Sequence, residues 1–190
     1  MKLNLGCGRR RLDGFVNVDS APECEPDLVV DVEAFPWPWA DNSIEEVHFI
    51  HSLEHMGGDP KVFLKLMQEL YRVLQPGGRV RVVAPHPRSE AFIGDPTHVR
   101  IVTPTVLQLF NRPLNEEWQA GGVPNTPLAL YTGVDFRLLS ANLTVKEPYL
   151  SQYRSGELSA EALKHMIETQ NNIGEEWQMV LEAVKPPSAG

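Results

Sequence analysis

The sequence predicts an α/β fold, a Rossmann-like and mostly parallel sheet with helices on both faces. Three observations carry this. Short apolar runs recur through the first half and end on glycine or aspartate, as strands do when they deliver side chains to one edge of an open sheet. One long amphipathic segment, 59–78, stands between two of these runs. Turn-forming residues cluster between the segments instead of inside them.

Taken in order, KLNLG (2–6) predicts a buried strand that begins almost at the first residue. FVNVDS (15–20) is a second strand ending on Asp19, and Leu28 to Val32 a third, with Asp31 near its end. PWPWADNS (36–43) is a turn-rich loop, and Ile44 to Ile50 a fourth strand. The helix over 59–78 has Asp59 as N-cap and Pro60 in its first turn, with Val62, Leu66, Leu70 and Leu74 at i, i+4 spacing. Pro76-Gly77-Gly78 stops it, and RVRVVAP (79–85) is the fifth strand. Gly8 to Phe15 leaves room for only about one turn of helix, so a first crossover helix is shortened or lost. Beyond Pro85 the pattern loosens. A short helix is expected over 104–111 with Thr103 as N-cap, strand character over 134–150, a helix over 158–172 capped by Ser159, and a last strand over 175–184 that stops at Pro186-Pro187.

The chain has 190 residues, which suits one domain, 1–190, divided into a cofactor-binding half (2–86) and a substrate or lid half (87–190). A net charge of −8 repels phosphate backbones, and Arg9-Arg10-Arg11 is too small a basic run to overcome it, so nucleic acid is a poor partner. No apolar run is long enough to span a membrane, and no signal peptide precedes the first strand. Two cysteines, Cys7 and Cys24, in an acidic chain fit a reducing cytoplasm.

The residues at the strand ends suggest a ligand. Open parallel sheets bind ligands beyond the carboxyl ends of their strands, where this sequence sets Gly6-Cys7-Gly8, Asp19, Asp31, His51 and His86. Glycines admit a ligand close to the backbone. An acid after the second strand can accept both ribose hydroxyls, and one after the third can accept from an adenine amine. The dinucleotide fingerprint fails, because Arg11 stands at the third glycine position and no long helix follows. A cofactor with ribose and adenine but no phosphate fits better. HSLEHM (51–56) has a second reading: His51, Glu54 and His55 spell the inverted zinc-peptidase signature, and a zinc hydrolase is the alternative.

The runs LNLGCG, VNVDS, DVEAFPWPWADNSIEEV, HSLEHM and LYRVLQPGGRVRVVAP resemble, in order, the motifs of class I S-adenosylmethionine-dependent methyltransferases. They are most similar to a small bacterial and phage branch of predicted methylases. The resemblance implies S-adenosylmethionine as cofactor, S-adenosylhomocysteine as product, and a C-terminal antiparallel strand. It also implies that Gly6, Cys7 and Gly8 line the methionine part, with Leu5 beside them. Asp19 would hold the ribose hydroxyls, Asp31 would face the adenine amine with Val32 beside the ring, His51 would sit near the methionine amine and the methyl group, and Leu53 would pack near the cofactor, with Ser20 and Glu33 as further cofactor-binding residues. For a hydroxyl acceptor a general base helps, and the candidates are His51, His86 and His98, with Asp95 as a partner. The acceptor expected is a small molecule. A lid from 86–130 or a homodimer partner would cover the cofactor. A non-catalytic cofactor-binding protein is a further alternative.

Overall fold

The computed structural model describes residues 1–186. Seven strands make one mixed sheet: β1 (Lys2–Leu5), β2 (Val16–Asp19), β3 (Leu28–Val29), β4 (Ile44–Ile50), β5 (Leu74–Pro85), β6 (Phe136–Val145) and β7 (Gly174–Ala183). Their order is β3-β2-β1-β4-β5-β7-β6. The first five pair in parallel, and β7 runs antiparallel to both β5 and β6. This is the Rossmann-like arrangement expected from the sequence, with the C-terminal antiparallel strand that the resemblance implies. The chain reverses its strand order between β1 and β4, so the carboxyl ends of those strands flank a crevice.

Helix α1 (Pro60–Val73) joins β4 to β5. Its N-cap is Asp59, whose carboxylate accepts from the Lys61 N–H at 2.8 Å. Phe63, Leu66, Met67, Leu70 and Val73 are all at most 3% exposed, each contributing roughly 1.5–3 kcal/mol by burial. They pack on Leu3, Leu5, Val47, Phe49, Val80 and Val82 of the sheet. Two short helices, α2 (Glu90–Ile93) and α3 (Pro104–Gln108), follow β5, and then come α4 (Arg112–Ala120) and α5 (Leu128–Thr132). α6 (Tyr149–Ser155) and α7 (Ala160–Thr169) link β6 to β7. Thr103 and Ser159 cap α3 and α7 as expected, accepting from the Val106 and Ala162 N–H groups.

Several expectations shift. The third strand is only Leu28–Val29, although the Val30 N–H still donates to the Asp19 carbonyl at 3.0 Å. It is the sheet's edge and both its side chains are exposed, whereas Val30 and Val32 turn inward to pack on the core instead of continuing the ladder. Helix α1 stops at Val73, before Pro76-Gly77-Gly78: Leu74 already pairs with Ile44, and the proline and glycines bulge out before pairing resumes at Arg79. Strand β6 ends at Val145, and Tyr149–Leu150 open a helix after Pro148. Residues 112–120 and 128–132 are helical without having been anticipated. Pro187, half of the expected stop, lies outside the described residues. No helix replaces the loop between β1 and β2. Among the described residues no helix is long and apolar enough to cross a membrane.

Candidate active site

The loop Gly6–Phe15 leaves β1 in a left-handed step, with Gly6 at φ +65°. A Cβ there would lie 2.7 Å from the Ser52 Cβ, so only glycine lets the end of β1 meet the turn after β4. The Ser52 hydroxyl fastens the same joint by donating to the Leu5 carbonyl at 2.8 Å. At the end of β2, the Asp19 carboxylate accepts from the Gly8 N–H at 2.7 Å and from the Ala21 N–H at 3.0 Å. Asp31 accepts from the Glu33 N–H at 2.8 Å, and Glu33 accepts from the Gly57 N–H.

These groups enclose a cavity of about 340 Å³ lined by Gly6, Gly8, Asp19, Ser20, Asp31, Val32, Glu33 and His51. That volume lies within the range of ligand sites, ~300–1,000 Å³. Val30, Ser52, His55 and Met56 complete the wall and were missed. Leu5, Cys7 and Leu53 do not line it: their side chains are at most 5% exposed and belong to the interior, because each sits on the buried side of its strand or turn. A larger hollow of about 620 Å³ lies among Asp41, Lys65, Tyr71, Arg72 and Lys185, by the amino end of β4, away from these groups.

His51 follows β4 directly at φ +53°, a conformation rare and costly outside glycine. Its N–H donates to the Val83 carbonyl at 2.8 Å, which pins it there. The ring Nε2 meets the Glu176 carboxylate at 3.0 Å, and Nδ1 lies 3.8 Å from Glu54 Oε1. Glu176 comes from β7, more than a hundred positions downstream, and no local signal marks it.

The other candidate bases lie elsewhere. His86 is 7% exposed. It accepts from the Arg88 N–H at Nδ1, and burial lowers its pKa. It lines a second, apolar hollow of about 540 Å³ with Leu143, Leu163, Ile167 and Trp177. His98 packs against His55 and Phe92, at centroid distances of 4.5 and 5.3 Å. Asp95 faces Thr97 and stands 3.8 Å from His98 Nε2. Arg100 lies over the Phe63 ring and donates to the Met56 and Gly57 carbonyls. The Glu90 N–H donates to Asn172 Oδ1. Trp37 and Trp39 are buried edge to face at 5.7 Å and pack in the core.

The peptidase trio does not form. Its reading required His51 and His55 on one helix face, but His51 follows a strand and only Leu53–His55 make a single 3₁₀ turn. Glu54 is 1% exposed, and burial pushes its carboxyl up.

Residues 15–82 match the family model described as "Methyltransferase domain". No curated protein matches the sequence. Among solved structures, an S-adenosylmethionine-dependent methyltransferase from Archaeoglobus fulgidus is 18% identical, with a TM-score of 0.62 over 95% of this chain and 85% of that one. One from Methanosarcina mazei is 12% identical, with a TM-score of 0.55 over 97% and 92%. The cyclase SpnF is 16% identical, with a TM-score of 0.53 over 97% and 75%.

Proposed function

We propose that this chain is an S-adenosylmethionine-dependent methyltransferase, a reading that its domain match and its fold support, and that it methylates a hydroxyl of a small acceptor held beside His51. The observation that carries the acceptor chemistry is the strained His51, which stands on the cavity wall with one ring nitrogen on a carboxylate.

The cavity's donor set suits the cofactor. Gly6 and Gly8 leave backbone open to the methionine part. Asp19 has spent one lone pair on each of two backbone donors and keeps others for two ribose hydroxyls. Asp31, acceptor-only when ionised, suits the adenine amine, with Val32 against the ring and Ser20 and Glu33 at the rim. Bound there, S-adenosylmethionine supplies an activated methyl group on sulfur.

The chain's own residues then position the acceptor and move one proton. With Nε2–H donating to Glu176, His51 keeps its lone pair on Nδ1. Nδ1 would take the proton from the acceptor hydroxyl as that oxygen is methylated, while the site holds the oxygen in line. Strands β4 and β5 are neighbours, so the apolar hollow at His86 lies one strand away and would take an apolar body on the acceptor. The net charge of −8 argues against a polyanionic acceptor.

The fold alone does not dictate methyl transfer, since SpnF, a cyclase by name, has it too. The test is therefore direct. Calorimetry should show one S-adenosylhomocysteine site per chain with micromolar affinity. A panel of small hydroxyl compounds, assayed by S-adenosylhomocysteine release, should show turnover that His51→Gln lowers ~10²–10⁴-fold, the usual worth of a general base. No binding by the wild-type chain would overturn the reading.

A further inference from the structure

Glu54 has no part in the reaction above, yet it is the most anomalous side chain near the site. It is 1% exposed, and neither carboxylate oxygen has a hydrogen-bond partner among the described residues. A buried carboxylate with both oxygens unsatisfied costs several kcal/mol unless a counter-charge meets it. One donor atom from each of Glu54, His55 and His98 lies within 4.8 Å of the others.

The partners of the two imidazoles fix which nitrogen is free. Asp95 Oδ1 accepts both the Thr97 N–H at 2.8 Å and the Thr97 hydroxyl at 2.6 Å. The Thr97 proton is thus committed, so the His55 Nδ1 found 3.0 Å from Thr97 Oγ1 must be the donor of that pair. His98 Nδ1 lies 3.0 Å from the Phe92 carbonyl, which can only accept, so it too carries its proton. Neutral, both rings therefore carry no proton on Nε2, and that of His98 stands 3.8 Å from Asp95 Oδ2. This is the outer support that metal-ligating histidines show, one ring nitrogen donating to protein oxygen and the other left for the ion.

We propose that Glu54, His55 and His98 bind one divalent ion of the zinc class at the rim of the cofactor cavity. Two imidazoles and a carboxylate suit zinc, cobalt, iron(II) or manganese, whereas magnesium and calcium prefer all-oxygen sets. Donors around a tetrahedral ion stand ~3.4 Å apart at bonds of ~2.1 Å, a contraction within reach of side-chain rotation. His51 stands outside this group: its Nε2 meets Glu176, and its Nδ1, though 3.8 Å from Glu54 Oε1, does not join Glu54, His55 and His98 in the cluster. Three protein ligands leave a position open, and His55 lies on the cavity wall. An acceptor oxygen seated in that position would be oriented and made more acidic. That role rests on the methyl-transfer reading; the ion site itself does not.

The full chain, stripped with chelator, is titrated with zinc chloride in a calorimeter and with cobalt chloride in a spectrophotometer. The expected result is one ion per chain and visible ligand-field bands for cobalt. Glu54→Gln and His98→Ala should each weaken zinc at least ~10–100-fold, the cost seen even for losing an outer-shell partner. His51→Gln should stay within threefold of wild type. Melting curves verify that each variant folds, and His55→Ala substitutes for any that does not. No saturable zinc binding, or equal binding by the ligand variants, overturns the site. S-adenosylhomocysteine titrated into the same stripped protein separates the two proposals. Zinc without S-adenosylhomocysteine sinks only the methyl-transfer reading, and the reverse sinks only the metal.

Discussion

Removing the Asp19 carboxylate probes the proposed cofactor site most directly. Asp19 accepts from Gly8 and Ala21, and a carboxylate has about four lone-pair directions, so about two remain for ribose hydroxyls. Hydrogen bonds to a charged group contribute ~1.5–3 kcal/mol each, so losing two costs ~3–6 kcal/mol. At 1.4 kcal/mol per tenfold, this is a Kd for S-adenosylhomocysteine raised ~10²–10⁴-fold in Asp19→Ala. The two backbone anchors are lost as well. They are half-buried and can rehydrate, so ~0.5–1.5 kcal/mol each is expected, or a drop of several degrees in Tm at ~2–4 °C per kcal/mol. Calorimetry at a temperature where both proteins are fully folded separates the two effects. An Asp19→Ala protein that melts lower yet binds within threefold of wild type would show that Asp19 only braces the loop.

Three further outcomes test the frame around the site. Glu69 accepts two bonds from Arg72 and the Trp37 N–H, and chiefly the Arg72 bonds hold its pKa below the ordinary 4.5. Its contribution is complete above pH 4.5 and is lost as pH falls through the depressed value, so on acidification the Tm of wild type should fall faster than that of Glu69→Gln; parallel curves would refute the pairing. Gly6→Ala puts a Cβ 2.7 Å from Ser52 at positive φ, and should cost ~1–3 kcal/mol in chemical denaturation and weaken S-adenosylhomocysteine. An unchanged denaturation midpoint would mean β1 and the β4 turn are not in close contact. Leu66→Ala, at a fully buried site under the sheet, should cost ~2–5 kcal/mol by the same measurement, and a loss below 1 would contradict the packing of α1 on β4 and β5.

What the sequence disclosed follows the range of each interaction. The strands, α1 and the caps are written locally, in periodicity and in a side chain a few residues from its N–H. Thus Asp59, Thr103 and Ser159 were readable, while the end of α1 was not. Ile44 draws Leu74 into the sheet from thirty positions away, and a tertiary contact overrode the Pro-Gly-Gly stop. The polar residues of the cavity were readable because each ends an apolar run. The direction a side chain takes at such an end was not, which is why Leu5, Cys7 and Leu53 turn inward. Glu176 and His98 reach the site from β7 and from the segment after α2. Only the fold brings them to His51 and Glu54.

The missing helix between β1 and β2 has a physical replacement. Asn4 and Asn17 are at most 3% exposed, on the sheet face that such a helix would cover. Asn4 donates to the Arg10 carbonyl and to Asn17 Oδ1, which also accepts the Leu12 N–H. The Asn17 amide donates to the Leu12 and Phe15 carbonyls and to Asp27, whose carboxyl is lowered to about 2, foremost by the Asn17 N–H and then by the Asn17 side chain and Arg11. Side chains thus satisfy loop groups that a helix would satisfy within itself. Arg11, part of the only basic run, is drawn into this frame through Asp27 and the Glu25 carbonyl. The frame fixes both ends of the loop and leaves the Gly8 N–H turned to Asp19. It offers no helix N-terminus, hence no ready seat for a pyrophosphate. A positively charged sulfonium cofactor, which carries no phosphate, needs none, and the acidic groups at the strand ends favour its charge.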